Sequence, residues 1–205
     1  MPLVQHHHPL VHVLVTRLRS RDTDPDEFRR CARAVTALLI AESASALSTS
    51  TRQVQTPLEP TDGVTLKAGV VLVPVLRAGL GMLEAALELL PGAAVGFIGL
   101  ERDEATARCS EYYRKLPPVD GNDVMVLDPM LATGGSACAA LAAVDGSGCK
   151  SRSLICIVAA PEGIDRVSRE HPDVSIIAAA VDRGLDCRKY ILPGLGDFGD
   201  RLYGT

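Results

Sequence analysis

The chain has 205 residues, 47% of them hydrophobic, and a formal net charge of −4 at pH 7. That is enough apolar material for one α/β domain with a buried sheet, and an acidic balance with no basic run beyond two residues argues against nucleic acid or an anionic membrane as main partner. No apolar stretch reaches the roughly 20 residues of a transmembrane helix, and the first residues, MPLVQHHHPLVHV, lack the basic start and long apolar core of a secretory signal.

Residues 25–41, PDEFRRCARAVTALLIA, predict a helix. Asp24 can cap it, Pro25 suits its first turn and acids follow. Phe28, Val35, Leu38 and Leu39 recur at helical spacing. Residues 43–67, rich in Ser, Thr and Pro, read as loop with short strands. The rhythm then changes. GVVLVPV (69–75) predicts a strand, LGMLEAALELL (80–90) a helix stopped by Pro91-Gly92, and AAVGFIGL (93–100) a strand. The charged segment 101–118 reads as an excursion or hairpin arm. DVMVLD (123–128) predicts a strand, GSACAALAAV (135–144) a helix, RSLICIVAA (152–160) a strand, PEGIDRVSREH (161–171) a helix and DVSIIAAAV (173–181) a strand. Apolar strands alternating with helices of about ten residues predict a parallel sheet covered on both faces. Ligands of such sheets sit beyond the carboxyl ends of the strands. The glycine-rich tail 182–205 lies outside this rhythm.

The six cysteines, Cys31, Cys109, Cys138, Cys149, Cys156 and Cys187, form no C-x-x-C pair. Their irregular spacing argues against zinc and against a disulfide framework, and fits a reducing cytoplasm. They read as small core filler or incidental surface thiols. His6, His7 and His8 are few for a purification tag and have no second ligand cluster, so no metal site is expected there.

Residues 127–136, LDPMLATGGS, stand where a strand ends and a helix begins. A helix start offers unpaired N–H groups and a positive dipole end. Gly134 and Gly135 allow close approach of an anion, and Thr133 and Ser136 add hydroxyls, which together make a phosphate cradle. Asp128, just ahead, can accept hydrogen bonds from sugar hydroxyls or act near a cation. The stretch matches neither the G-x-x-x-x-G-K-[ST] loop nor G-x-G-x-x-G. An ordinary strand-to-helix turn would use some of the same residues. Two more strand ends carry anion chemistry, however: Arg77 with Gly79 and Gly81, and Arg102 in a charged run. Arginine suits a phosphate or pyrophosphate.

DPMLATGGS resembles the phosphoribosyl pyrophosphate motif of type I phosphoribosyltransferases, in the form used by the uracil phosphoribosyltransferase family. The resemblance spans nearly the whole chain: HPLV (8–11), VPVLRAGLGM (73–82), RDE (102–104), KLP (115–117), VAAPEGI (158–164), HPDV (171–174) and YILPGLGDFGDRLYG (190–204) are similar to segments of that family in the same order. It implies a single domain over 1–205, with a core at about 68–181 and a small hood formed by the N-terminal segment and 182–205. It implies that uracil and phosphoribosyl pyrophosphate, with Mg²⁺ carried by the pyrophosphate, give UMP and pyrophosphate in pyrimidine salvage. On the same resemblance, Pro129, Met130, Leu131 and Ala132 with Thr133 to Ser136 belong to the phosphoribosyl site. The loop Ala132–Ser136 holds the 5′-phosphate and Asp128 engages the ribose. Arg77 and Arg102 bind the pyrophosphate region. Uracil is held by backbone around Ile191 and Gly196 to Phe198, and Asp197 also meets the phosphoribosyl substrate or its metal shell. At least a homodimer and, in some members, a GTP effector are further implications.

Three places depart from the family pattern. Phe198 stands where alanine is usual, which leaves its ring stacked on the base, narrowing the pocket or turned away. D-x-G-L-N becomes DRGLD, with Arg183 and Asp186. Ala41 precedes Glu42 where an aromatic residue is common. A base-altered enzyme, or a catalytically silent homologue that binds nucleotide as a sensor, are the alternatives these departures leave.

Overall fold

A computed structural model describes residues 3–5, 7–102, 109–145 and 148–205, the side chains of Arg102 and Cys109 excepted. The apolar runs build a nine-stranded sheet. Its order is β1 (Leu3–Gln5), β11 (Ser175–Val181), β10 (Ser151–Ala159), β8 (Asp123–Leu127), β4 (Val70–Leu76), β6 (Phe97–Arg102) and β7 (Cys109–Lys115). Strand β5 (Ala94–Val95) lies beside β4, and β9 (Met130–Leu131) beside β10. The pairings are parallel except the β6–β7 hairpin. Two short antiparallel pairs stand apart: β2 (Thr49–Gln55) with β3 (Pro60–Leu66), and β12 (Gly184–Leu185) with β13 (Ile191–Leu192).

Among the described residues six helices complete the fold: α1 (Pro9–Arg19), α2 (Pro25–Ala44), α3 (Leu80–Leu89), α4 (Gly135–Ala143), α5 (Pro161–Glu170) and α6 (Phe198–Tyr203). Successive strand side chains point to opposite faces, so the continuous apolar runs feed two cores. Leu72, Met125, Leu127, Ile155 and Ile157 pack with Val15, Phe28, Val35, Met82 and Leu202 of α1, α2, α3 and α6. Val71, Val73, Val124, Val126, Leu154 and Cys156 pack with Ala137, Leu141 and Val167 of α4 and α5. Each fully buried Val, Leu, Ile, Phe or Met side chain among them contributes about 1.5–3 kcal/mol by leaving water.

Helix α2 starts as the sequence predicts: Glu27 N donates to Asp24 Oδ1 at 2.8 Å, with Pro25 in the first turn. It continues past Ala41 to Ala44. Helix α1 is an addition to the predicted elements. Val11, Val15 and Leu18 form its buried stripe, and Leu10 N donates to His8 Nδ1 at 3.2 Å. Of the histidine triplet, His8 is thus a helix cap, His7 is exposed and His6 lies outside the described residues. Cys31, Cys138, Cys149, Cys156 and Cys187 are free thiols, three of them buried. No described helix is long and apolar enough to cross a membrane.

The β4–β8 register sets Pro74 against Leu127, so Arg77 and Asp128 leave the sheet at one edge. The β4–β6 register, Leu76 against Gly99, brings the end of β6 to that edge.

Candidate active site

The predicted strand 123–128 does not simply end in a loop. Asp128 N donates to Ile155 O at 3.1 Å, and Pro129 O accepts from Ile157 N and Val158 N, both at 3.0 Å. The chain then pairs with β10 again as β9 before it turns away. Asp128 is 7% exposed, and the Ser136 hydroxyl donates to its Oδ2 at 2.7 Å. Burial pushes the Asp128 carboxyl up to about 6, while hydrogen bonds from the Ser136 hydroxyl and the Met130 N–H pull it back. At neutral pH it is a buried acceptor with a local supporting shell.

The loop after β9 turns at Gly134, the N-cap of α4, whose φ of 75° is left-handed. A Cβ at Gly134 would lie 3.1 Å from Gly163 O, and a Cβ at Gly163 would lie 2.6 Å from Ala132 O. Two glycines therefore let the loop press against the start of α5. The first N–H groups of α4, at Gly135, Ser136 and Ala137, have no intrahelical acceptor and sit at the positive dipole end. A helix start of this geometry can hold an anion. Thr133 precedes it, and Leu131 is buried beneath it.

Opposite stands the glycine-rich tail. Strand β13 leads through a tight turn, with Gly194 at φ 62° and Gly196 at φ 84°, into α6. Asp197 caps α6, accepting from Asp200 N at 2.9 Å. A cavity of about 590 Å³ joins the two stretches. Met130 and Ala132 form one wall and Ile191, Gly196, Asp197 and Phe198 the other, with Arg188, Lys189 and Tyr190 completing the lining. The sequence reading does not single out those last three; a basic pair beside the glycine-rich tail is the signal that points to them.

Arg77 is outside this lining. Its guanidinium is 64% exposed and lies 3.5 Å from Asp200 Oδ1, and its carbonyl accepts from the Tyr203 hydroxyl at 3.3 Å. Gly79 lets the turn after β4 close on the neighbouring strand: a Cβ there would lie 2.5 Å from Leu127 O. Arg102 ends β6 at the same edge, but its side chain lies outside the described residues.

A family model described as uracil phosphoribosyltransferase matches residues 4–205. The chain belongs to the uracil phosphoribosyltransferase family. It is 47% identical over 200 residues to the uracil phosphoribosyltransferase of Dictyoglomus turgidum, covering 97% of each chain. It is 48% identical over 202 residues to that of Finegoldia magna, covering 97% of this chain and 96% of the relative. The solved structure of the AQ2163 protein from Aquifex aeolicus superposes with a TM-score of 0.96 at 36% identity, covering 100% of this chain and 99% of the other. The adenine phosphoribosyltransferase of Trypanosoma brucei, at TM-score 0.60 and 12% identity over 95% of this chain and 87% of the other, shares the fold.

The departures from the uracil phosphoribosyltransferase pattern now have places. The Phe198 ring is 1% exposed and meets Phe28 edge-on, centroids 5.2 Å apart at 61°. Of the placements open to it, the ring takes the one turned into the core. Asp186 Oδ1 accepts from Arg188 N at 2.9 Å and Tyr190 N at 2.8 Å, building the turn between β12 and β13 with acceptor chemistry alone. Arg183 joins the same ladder by its N–H, which donates to Leu192 O at 3.1 Å. Ala41 and Glu42 belong to the end of α2, and Glu42 lines a separate cavity with Asp123 and Ser151, at the amino ends of β8 and β10. That departure is at the opposite end of the sheet from the candidate site.

Proposed function

We propose that this chain transfers the phosphoribosyl group of phosphoribosyl pyrophosphate to uracil, giving UMP and pyrophosphate in pyrimidine salvage. The observation that carries the reading is one cavity walled by Met130 and Ala132, just ahead of the helix-start loop, on one side and by a glycine-rich backbone turn on the other. The loop Ala132 to Ser136 holds the 5′-phosphate through the N–H groups of Thr133 to Ser136, the Ala132 N–H being donated to Met130 O at 3.1 Å, and Pro129, Met130 and Leu131 set its path. Ionised Asp128 accepts from the ribose hydroxyls. Arg77 and Arg102 take the pyrophosphate. The exposed Arg77–Asp200 pair is worth no more than about 1 kcal/mol, so a pyrophosphate competes for that arginine readily.

Uracil presents O2, N3–H and O4, which a backbone pattern of donor, acceptor and donor reads at Ile191 and Gly196 to Phe198. Cytosine reverses part of that pattern, and a mismatched buried polar edge discriminates strongly. In the reaction the bond from C1′ to the pyrophosphate oxygen breaks, the bond from C1′ to uracil N1 forms, and N1 loses its proton. Positive charge develops on the ribose and negative charge on the leaving group. Fixed positioning serves the first and the arginines the second.

Mg²⁺ comes with the pyrophosphate as part of the substrate and supplies charge neutralisation there. No residue is assigned as a direct ligand of the ion; Asp197 stands where it meets the phosphoribosyl substrate or its metal shell. The domain assignment follows the same reading: one domain, core at about 68–181, hood from the N-terminal segment and 182–205. At least a homodimer is supported by the β2–β3 hairpin, where Leu58 is 93% and Val64 76% exposed. A GTP effector stands with the family resemblance, and the free thiols support a reducing, cytoplasmic setting.

The test is an end-point assay with Mg²⁺, phosphoribosyl pyrophosphate and each of uracil, cytosine, orotate, hypoxanthine and adenine, with and without GTP. UMP from uracil alone is expected. Product from another base would keep the mechanism and overturn the substrate. Folded protein making no nucleotide would overturn the enzyme reading.

A further inference from the structure

The tail that walls the base side of the cavity has little sheet structure of its own. The β12–β13 ladder pairs Gly184 with Leu192 and Leu185 with Ile191. The turn beyond it, through Gly194 and Leu195, is held by side chains from elsewhere. Asp182 is one anchor. Its N–H donates to Ala159 O at 2.8 Å, which fixes it to the end of β10, and the next residue, Ala160, donates to Leu131 O of the phosphate-side loop at 2.8 Å. The Asp182 carboxylate, itself buried, receives Arg19 Nη2 at 2.5 Å, Arg19 Nη1 at 2.8 Å and Gly194 N at 2.8 Å. Arg19 Nη1 also donates to Gly194 O at 2.7 Å. One ion pair thus engages both backbone polar groups of Gly194. That residue is left-handed, and a Cβ on it would lie 2.2 Å from Ile191 O, so fixing Gly194 fixes the turn against Ile191.

A second arginine works beside it. Arg201 donates to Leu195 O at 2.7 Å, to Ser20 O at 2.6 Å and to Leu18 O, and lies 4.5 Å over the Phe28 ring. The last turn of α1 is thereby bonded directly to residues 194 and 201, and through Arg201 to Leu195, on either side of the cavity-lining stretch Gly196–Phe198. Neither Arg19 nor Asp182 lines the cavity.

We propose that the Arg19–Asp182 pair positions the base-recognition turn relative to the phosphate loop, and so sets the affinity for uracil without touching it. The inference rests on the uracil reading above. A part-buried ion pair of this kind adds little net stability over apolar residues of the same volume. What it supplies here is a fixed place for Gly194 against the same strand end that carries the phosphate loop. Arg19 and Asp182 are positioning residues, and because the turn they hold carries the base contacts and, on the phosphoribosyl side, Asp197 alone, their effect falls mainly on uracil.

The experiment is steady-state kinetics with uracil and phosphoribosyl pyrophosphate titrated separately, for wild type, Arg19→Met, Arg19→Lys and Asp182→Asn, with thermal unfolding of each. In Arg19→Met the KM for uracil rises about tenfold or more while that for phosphoribosyl pyrophosphate stays within about twofold, a split that a uniformly loosened fold does not produce. Arg19→Lys recovers part of the loss, and Asp182→Asn shifts the same KM in the same direction. Should Arg19→Met fail to fold, the Arg19→Lys and Asp182→Asn splits decide. Two KM values that move together, or folded variants in which neither moves, overturn this inference alone. A wild type that makes no UMP from uracil overturns the substrate reading and this inference with it.

Discussion

The side proposed for the phosphate comes from one stretch of chain, Asp128 to Ser136, of which Met130 and Ala132 line the cavity, whereas the wall proposed for the base is held by Arg19, 163 residues before its partner Asp182. In the first wall each device is local: a buried carboxyl, a hydroxyl eight residues on that donates to it, a left-handed glycine and a helix start. In the second the lining backbone gains its position from α1, from the end of β11 and from the aromatic contact of Phe28 with Phe198. Local devices fail by losing chemistry. An assembled wall fails by losing alignment, and changes to the two walls should separate accordingly.

The largest effect is expected at Asp128. Asp128→Asn should fold and lose turnover by about 10²–10³-fold, measured by UMP formation. Normal turnover would remove Asp128 from the mechanism. Next comes the core contact beneath the base wall. Phe198→Ala should cost about 3–5 kcal/mol of stability by cavity formation, read by denaturant unfolding, and the milder Phe198→Leu should leave the preference for uracil over cytosine unchanged. A changed base preference in Phe198→Leu would put the ring in the pocket rather than the core.

The pH dependence sharpens the phosphate side. Asp128 titrates at about 6 in the fold against an ordinary value of 3.8. Its ionised form is needed to accept from the ribose, so kcat/KM for phosphoribosyl pyrophosphate should fall about tenfold per pH unit below about 6, and Asp128→Asn should lack that limb. Stability runs the other way. Because the folded value is raised, the contribution of Asp128 is full below 3.8 and is lost as pH rises through about 6. The smallest effect is expected from the added cations of the cavity. Arg188→Gln and Lys189→Gln should each raise the KM for phosphoribosyl pyrophosphate a few-fold at low salt and less at high salt, since exposed charges are screened.

The sheet was legible because the buried strands of a doubly covered sheet are apolar on both faces, as Val70 to Val75 and Leu154 to Ala159 are. The phosphate wall was legible for the same reason its devices are local. Helix α1 was not. Val11, Val13 and Val15 alternate as a strand does, yet Val13 is 50% exposed while Val11, Val15 and Leu18 are buried, so the helical period wins once His8 and Pro9 start the turn. The β2–β3 hairpin was legible only as short strands in a loop, not as a paired ladder, because its strands are almost entirely exposed and carry little apolar pattern. Nor does spacing reveal that Arg19 meets Asp182, or that Arg201 joins Leu18 and Ser20 to Leu195. Those contacts exist only once the sheet has brought both ends of the chain together.

The most direct measurement is a crystal structure of the protein with UMP. The account predicts the phosphate within hydrogen-bond reach of the N–H groups of Thr133 to Ser136, the ribose hydroxyls on Asp128, and the uracil edge on backbone at Ile191 and Gly196 to Phe198. UMP bound elsewhere, or bound in this cavity with its base on the α4 loop, would contradict it.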